Sequence, residues 1–215
     1  MKLEISDHIG SVSTILNEPQ RASALMTVAH GAGADMHHPF MEQLAMGLAA
    51  KGIATLRFNF PFTEAKKGRP DPAPVAEKTI LKVIEYAASL RPELPLFVAG
   101  KSFGGRMSSQ LLSKETPSAV RGVVFYGFPL HAPGKPGAER AAHLAAIALP
   151  MLFLQGSRDA LATLELMNNV VAGLSNATMR TFEGADHSFK AGKRDVLSEL
   201  TAATRKWMDD LQPTA

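Results

Sequence analysis

The chain contains no cysteine, and that absence removes several kinds of chemistry at once. No disulfide framework, thiolate metal site or cysteine nucleophile can be built from it. No run of 18 apolar residues occurs either, so no segment reads as a membrane span, and the opening Met1-Lys2-Leu3-Glu4-Ile5-Ser6-Asp7 has no apolar stretch of the kind that directs secretion. An excess of one charge is also missing. The formal net charge is only +3 and the basic residues are scattered, which argues against nucleic acid as the main partner. A cytoplasmic chain without a membrane or nucleic-acid partner is therefore expected. What the sequence does have is 215 residues that are 46% hydrophobic and 20% charged, the balance of a globular protein with one substantial core. That length predicts a single α/β domain over 1–215.

Short apolar runs alternate with helical patterns along the chain. Strands are expected at Val12–Leu16, Ala24–Ala29, Ile53–Phe60, Leu94–Ala99, Gly122–Tyr126, Met151–Leu154 and Thr178–Phe182. Several are apolar at every position, the mark of strands covered on both faces of a parallel sheet. Between them the period lengthens. Phe40, Leu44 and Leu48 form one helical stripe, with Pro39 at its start and Gly52 past its end; Ile80, Leu81, Ile84 and Ala88 form a second. Val196, Leu197, Leu200, Trp207, Met208 and Leu211 form the stripe of a C-terminal helix. This alternation predicts an α/β fold with a doubly wound, mostly parallel sheet and helices on both faces. The Pro/Gly-rich stretches Pro61–Pro74 and Phe128–Gly137 read as loops too short to form a separate lid.

In open α/β sheets ligands bind beyond the carboxyl ends of the strands, so the residues there matter most. The strand expected at Leu94–Ala99 runs into Gly100-Lys101-Ser102-Phe103-Gly104, followed by an amphipathic helical pattern. Strand, glycine-flanked serine and helix in that order suggest a nucleophile elbow, in which the serine is strained outward and Gly100 and Gly104 avoid collisions that a Cβ would make. Three other strand ends carry His30-Gly31-Ala32-Gly33, then Gln155-Gly156-Ser157-Arg158-Asp159, then Glu183-Gly184-Ala185-Asp186-His187. Ser102, Asp159 and His187 thus occur in the chain order serine, acid, histidine. A serine hydroxyl needs a base to take its proton as it attacks a carbonyl, and His187 is the candidate that follows the last expected strand; His8, His30, His37, His38, His131 and His143 do not. Asp159 is the expected orienting acid, since no carboxylate follows the Gly122–Tyr126 strand and Asp186 is pointed elsewhere by its adjacency to His187. Backbone N–H groups of Phe103 and of Ala32 are the expected donors to a developing oxyanion, with His30, Gly31 and Gly33 supporting that turn. Which amide among Gly31, Ala32 and Gly33 donates stays open.

These motifs, from Val12 to Leu211, resemble the α/β-hydrolase superfamily. The phrases His30-Gly31-Ala32-Gly33, Gly100-Lys101-Ser102-Phe103-Gly104-Gly105-Arg106 and Ala185-Asp186-His187-Ser188-Phe189 look like its dienelactone hydrolase-related group, and within it the small branch typified by testis-expressed protein 30 and the third regulatory subunit of the nonspecific lethal complex. Dienelactone hydrolase itself uses a cysteine where this chain has Ser102, a departure that argues against lactone cleavage. The resemblance implies a serine hydrolase acting on small carboxylic esters or thioesters through an acyl-serine, with no cofactor. The alternative it leaves open is a binding or scaffold module that retains the fold without turnover, since some members of that branch are known as parts of complexes. A small-molecule acyl substrate is the expected partner, and a homodimer through an edge strand is open.

Other features read more plainly. Adjacent His37 and His38 face different directions and lack a third ligand at metal-binding spacing, so no metal is expected. Lys66, Lys67 and Arg69 fall on the expected active end, and read first as a solvated loop, second as a lure for an anionic substrate. The methionines, including Met26, Met41 and Met107, read as core filler. Lys101, next to the serine on a strand, is expected to point to the opposite face from it.

Overall fold

The computed structural model describes residues 1–211. Its strands are β1 (Lys2–Ser6), β2 (Gly10–Asn17), β3 (Ala24–Ala29), β4 (Ile53–Phe58), β5 (Leu96–Lys101), β6 (Val120–Tyr126), β7 (Met151–Gly156) and β8 (Ala177–Phe182). The helices are α1 (Pro39–Ala49), α2 (Pro61–Glu64), α3 (Ala73–Leu90), α4 (Phe103–Leu112), α5 (Leu164–Ala172) and α6 (Val196–Leu211), with a 3-10 segment at Glu139–Ala146. All eight strands join one sheet in the order β1-β2-β4-β3-β5-β6-β7-β8. β1–β2 and β2–β4 are antiparallel, and every other neighbouring pair is parallel. The expected mostly parallel sheet is therefore present, with an antiparallel pair of strands added at one edge.

Alternation along the buried strands divides the core into two layers. Leu25, Leu56, Phe125 and Phe153 face α3 and α4, packing with Ile80, Val83, Ile84 and Met107. Met26, Val28, Val124, Leu152 and Leu154 face α1 and α6, packing with Leu44, Leu48, Leu200, Trp207 and Met208. The second layer is tight enough to dictate a residue in the sheet: a Cβ on Gly122 would lie 2.8 Å from the Trp207 ring. Tyr126, wholly buried there, satisfies its hydroxyl on Thr204 Oγ1 at 2.9 Å, which removes the penalty for burying a polar atom.

Sequence periodicity located seven of the eight strands, with ends shifted by a few residues. β1 was not among the expected strands: Leu3 and Ile5 do alternate with Lys2, Glu4 and Ser6, but two apolar residues in five, only Ile5 of them buried, make too short a pattern to mark a strand. The Pro61–Pro74 loop contains the short helix α2 and its end already belongs to α3. Within the helices the stripes rotate slightly. Met41, Leu44, Ala45 and Leu48 are the buried face of α1, leaving Phe40 partly exposed, and Leu81 and Ala88 of α3 flank a face made by Ile80, Val83, Ile84 and Ala87. Among the described residues no helical layer is inserted between a strand end and the helix that follows it.

Candidate active site

The turn between β5 and α4 holds Ser102 at φ 51° and ψ −114°, a left-handed conformation that a side-chain-bearing residue rarely adopts. Steric facts around it leave little choice of sequence. A Cβ on Gly100 would lie 2.3 Å from the Gly105 nitrogen, and one on Gly104 would lie 2.5 Å from the Ala29 carbonyl oxygen. Backbone atoms cannot yield there, so helix α4 can pack directly over β3 and β5 only with glycine at both positions. The turn lifts the serine hydroxyl above the carboxyl edge of the sheet.

Two loops from other strand ends meet it. Ser102 Oγ lies 2.9 Å from His187 Nε2, and His187 Nδ1 lies 2.7 Å from Asp159 Oδ2. A carboxylate accepts only, so Nδ1–H donates to Asp159 and Nε2 is left to accept from the Ser102 hydroxyl. The Asp159 side chain is fully shielded from solvent while His187 keeps 23% of its side-chain surface exposed. Asp159 also accepts from Gln155 Nε2 at 2.6 Å and from the Leu161 N–H at 2.8 Å. Gln155 in turn accepts the Phe128 N–H on its Oε1 at 3.0 Å, tying the acid to the neighbouring loop. Gln155 was not singled out by the sequence, because a glutamine at the end of an apolar strand carries no motif.

The loop of His187 is built by its neighbours. Asp186 turns away, as its adjacency requires, and its Oδ1 accepts the Ser188 and Lys190 N–H groups at 2.8 and 2.9 Å. Phe189 follows at φ 60°, and its ring stacks on Phe40 with centroids 5.9 Å apart.

The glycine-rich turn after β3 faces Ser102 from the other side. His30 is buried, with Nδ1 2.8 Å from the Gly31 carbonyl oxygen and Nε2 accepting the Phe60 N–H at 3.1 Å. Nε2 therefore carries no proton and Nδ1–H donates to Gly31. Burial holds this imidazole below the ordinary histidine range, which keeps it neutral and in that tautomer. In a trans peptide the N–H points opposite to the C=O, so fixing the Gly31 carbonyl toward His30 aims the Ala32 N–H the other way. Neither Ala32 N nor Phe103 N donates to another backbone group among the described residues.

A cleft of about 840 Å³ opens over these groups. Gly31, Ala32, Ser102 and His187 form its floor, and Phe40 and Phe189 form part of its wall. Lys101 lines it too, contrary to the expectation from strand alternation. The reversal of the backbone at Ser102 ends the alternation there, and a four-carbon stem lets the ammonium reach round to the Phe189 ring, 5.6 Å from its centroid. Lys66, Lys67 and Arg69 do not line the cleft. His38 caps α1 by accepting the Phe40 N–H, and His37 lies 3.5 Å from Glu42.

The same architecture recurs in solved structures. XC6422 from Xanthomonas campestris, described as an a/b serine hydrolase without lid, superposes with a TM-score of 0.78 at 20% identity over 100% of this chain and 95% of its own. Dienelactone hydrolase from Anabaena variabilis superposes with a TM-score of 0.80 at 17% identity, over 98% of this chain and 95% of that one. Est1E from Butyrivibrio proteoclasticus, solved with ferulic acid bound, gives 0.77 at 16% identity over 98% of both chains. At such identities the likeness is one of fold. A sequence model of the alpha/beta hydrolase domain matches residues 22–210, and the chain accordingly belongs to that family.

Proposed function

We propose that this protein is a serine hydrolase that cleaves small carboxylic esters or thioesters through an acyl-serine intermediate. The observation that carries the reading is the unbroken hydrogen-bonded chain Ser102–His187–Asp159, at 2.9 and 2.7 Å, in the cleft at the strand ends. Ser102 Oγ attacks the carbonyl carbon while His187 Nε2 takes its proton; Asp159 holds the imidazole in the required tautomer and stabilises the imidazolium. The carbonyl oxygen becomes an oxyanion that receives the N–H groups of Phe103 and Ala32, donors already in place before the reaction. As the C–O or C–S bond breaks, the leaving group takes the proton from His187. Water then attacks the acyl-serine, giving its proton to His187, and the acid departs as Ser102 Oγ recovers it.

Small acyl groups fit this reading best, since no inserted helical layer supplies apolar cover for a long chain among the described residues. Membership of the dienelactone hydrolase-related branch typified by testis-expressed protein 30, a single domain over 1–215 and a cytoplasmic setting belong to the same proposal, on the sequence motifs and the cysteine-free composition. A fluorophosphonate probe tests the core of it. Labelling is expected in the parent, absent in Ser102→Ala, and greatly reduced in His187→Ala because the hydroxyl loses its base. A folded parent that takes no label would refute the hydrolase reading, and undiminished labelling of His187→Ala would refute the assignment of the base.

A further inference from the structure

Lys101, Lys190, Arg194 and Asp195 are charged residues that line the cleft and that the proposed reaction does not use, and of these Lys101 is the one whose ammonium sits beside His187 among the described residues. Its position is confined. A Cβ on Gly127, at φ 70°, would lie 3.2 Å from Lys101 Nζ and 3.5 Å from both Cε1 and Nδ1 of His187, so that glycine opens the space in which ammonium and imidazole sit side by side. The face of Phe189 bounds the same space, 5.6 Å from Nζ to the ring centroid. Phe189 occupies the left-handed region to do so, a conformation maintained by its N–H bond to the Asp186 carbonyl at 2.9 Å and by its stacking on Phe40.

Among the described residues no hydrogen bond or salt bridge to a protein acceptor neutralises this charge. The two carboxylates whose fields reach it are Asp159 and Asp186; Asp159 is engaged by His187, Gln155 and the Leu161 N–H, and Asp186 is exposed with its Oδ1 held by the Ser188 and Lys190 N–H groups, and neither bonds the ammonium. Burial depresses the lysine to about 8, with the two aspartates pulling in the opposite direction. An ammonium partly withdrawn from water and given no acceptor by the protein among the described residues is unfavourable, and a cation–π contact offsets only part of that. Such a group becomes favourable when an anion arrives, and the open side of this one is the cleft that holds Ser102.

We propose that Lys101 is a specificity-determining residue that receives a carboxylate carried by the substrate, so that the esters turned over best are monoesters of dicarboxylic acids or esters of hydroxy acids. The inference rests on the hydrolase reading for its reaction but on Lys101, Gly127 and Phe189 for its recognition. A carboxylate held equally in the bound ester and in the transition state lowers KM more than it raises kcat. The charged form predominates below about pH 8, so the preference for acidic substrates is expected to decline as pH rises through that value.

The test compares matched pairs in which the carboxylate is the variable. The acyl-side pair is 4-nitrophenyl hemiglutarate against 4-nitrophenyl butyrate; the alcohol-side pair is 4-acetoxybenzoate against phenyl acetate. The parent is expected to favour the acidic member of at least one pair by tenfold or more in kcat/KM, mainly through KM. Lys101→Met should bring that ratio to one or below, and Lys101→Arg should restore part of it. Because each ratio is taken within one preparation, incomplete folding of a variant cancels. A parent indifferent to the carboxylate in both pairs, or a preference that persists in Lys101→Met, would overturn the assignment. Should the fluorophosphonate experiment refute hydrolysis, calorimetric titration of Ser102→Ala with 4-acetoxybenzoate and with phenyl acetate reads Lys101 alone. Tenfold tighter binding of the acid, lost on adding Lys101→Met, is the expected result, and equal binding of the two would overturn it.

Discussion

At the scale of single residues, His30 shows how a buried side chain can set the orientation of a backbone peptide at the edge of the cleft. Its two ring nitrogens have opposite tasks, one donating to the Gly31 carbonyl and the other accepting from the Phe60 N–H. Only a neutral imidazole does both, and burial keeps it neutral. His30→Ala frees the Gly31–Ala32 peptide to rotate and leaves the Phe60 N–H without its acceptor. The expected outcome is a fall in kcat of roughly tenfold to a hundredfold with KM little changed, part of the effect of removing an oxyanion donor outright. Steady-state kinetics beside a circular dichroism spectrum checks this, and a folded variant with parental kcat would contradict the role given to the turn.

The element that most constrains the site is helix α4, which starts one residue after Ser102 and lies against β3 and β5. Its approach depends on the two glycines of the turn. Gly104→Ala would place a Cβ 2.5 Å from the Ala29 carbonyl oxygen, where backbone on both sides resists adjustment. We expect it to lower stability by about 1–3 kcal/mol or more and to displace Ser102. Gly33→Ala is the companion control, since nothing lies within 4 Å of its added Cβ and its φ is not positive, so its effect on stability is expected within about 0.5 kcal/mol. Urea denaturation of both distinguishes close packing from a general intolerance of the glycine turns. Equal losses at the two positions would show that packing against β3 is not the cause. Strand β1 illustrates the opposite case, an element held by pairing with β2 whose own alternation, Leu3 and Ile5 among polar neighbours, is too short to mark a strand.

Across the whole molecule, the antiparallel edge strands are joined to the rest by a carboxylate. Glu64 of α2 accepts from Lys2 Nζ of β1 at 2.8 Å, from the Ser13 N–H of β2 at 2.8 Å and from Asn59 Nδ2 at 3.0 Å. Its partial burial would raise the carboxyl, but the bonds from Lys2, Ser13 and Asn59 outweigh that and hold it at about 2, against an ordinary 4.5. A carboxyl depressed on folding contributes stability that is present above its unfolded value and lost as pH falls through the folded one. The window is therefore from about 4.5 down to about 2, and with solvent screening the contribution is about 1–2 kcal/mol. The stability difference between the parent and Glu64→Gln, measured by denaturant titration, should be constant above about pH 5 and shrink below it. A difference independent of pH would show that the carboxylate charge is not what joins the edge.

Local features were legible in the sequence because their causes are local. Apolar runs bounded by glycine mark β3 to β7, and the glycine-flanked serine marks a strand-turn-helix, since both follow from burial and from clashes within a few residues. The order of Ser102, Asp159 and His187 at strand ends was readable on the same basis. Their contact was not, because the hydrogen bonds that join them span 85 and 28 residues and their lengths are set by which strands are neighbours. Sequence alone determined the alternation of strand and helix, the family motifs and the absence of thiol chemistry. Only the tertiary structure decided that Gln155 braces the acid, that His30 aims a peptide toward the cleft, and that Lys101 shares that cleft with the serine. Each of those depends on a backbone reversal or an approach between distant loops, and periodicity carries no information about either.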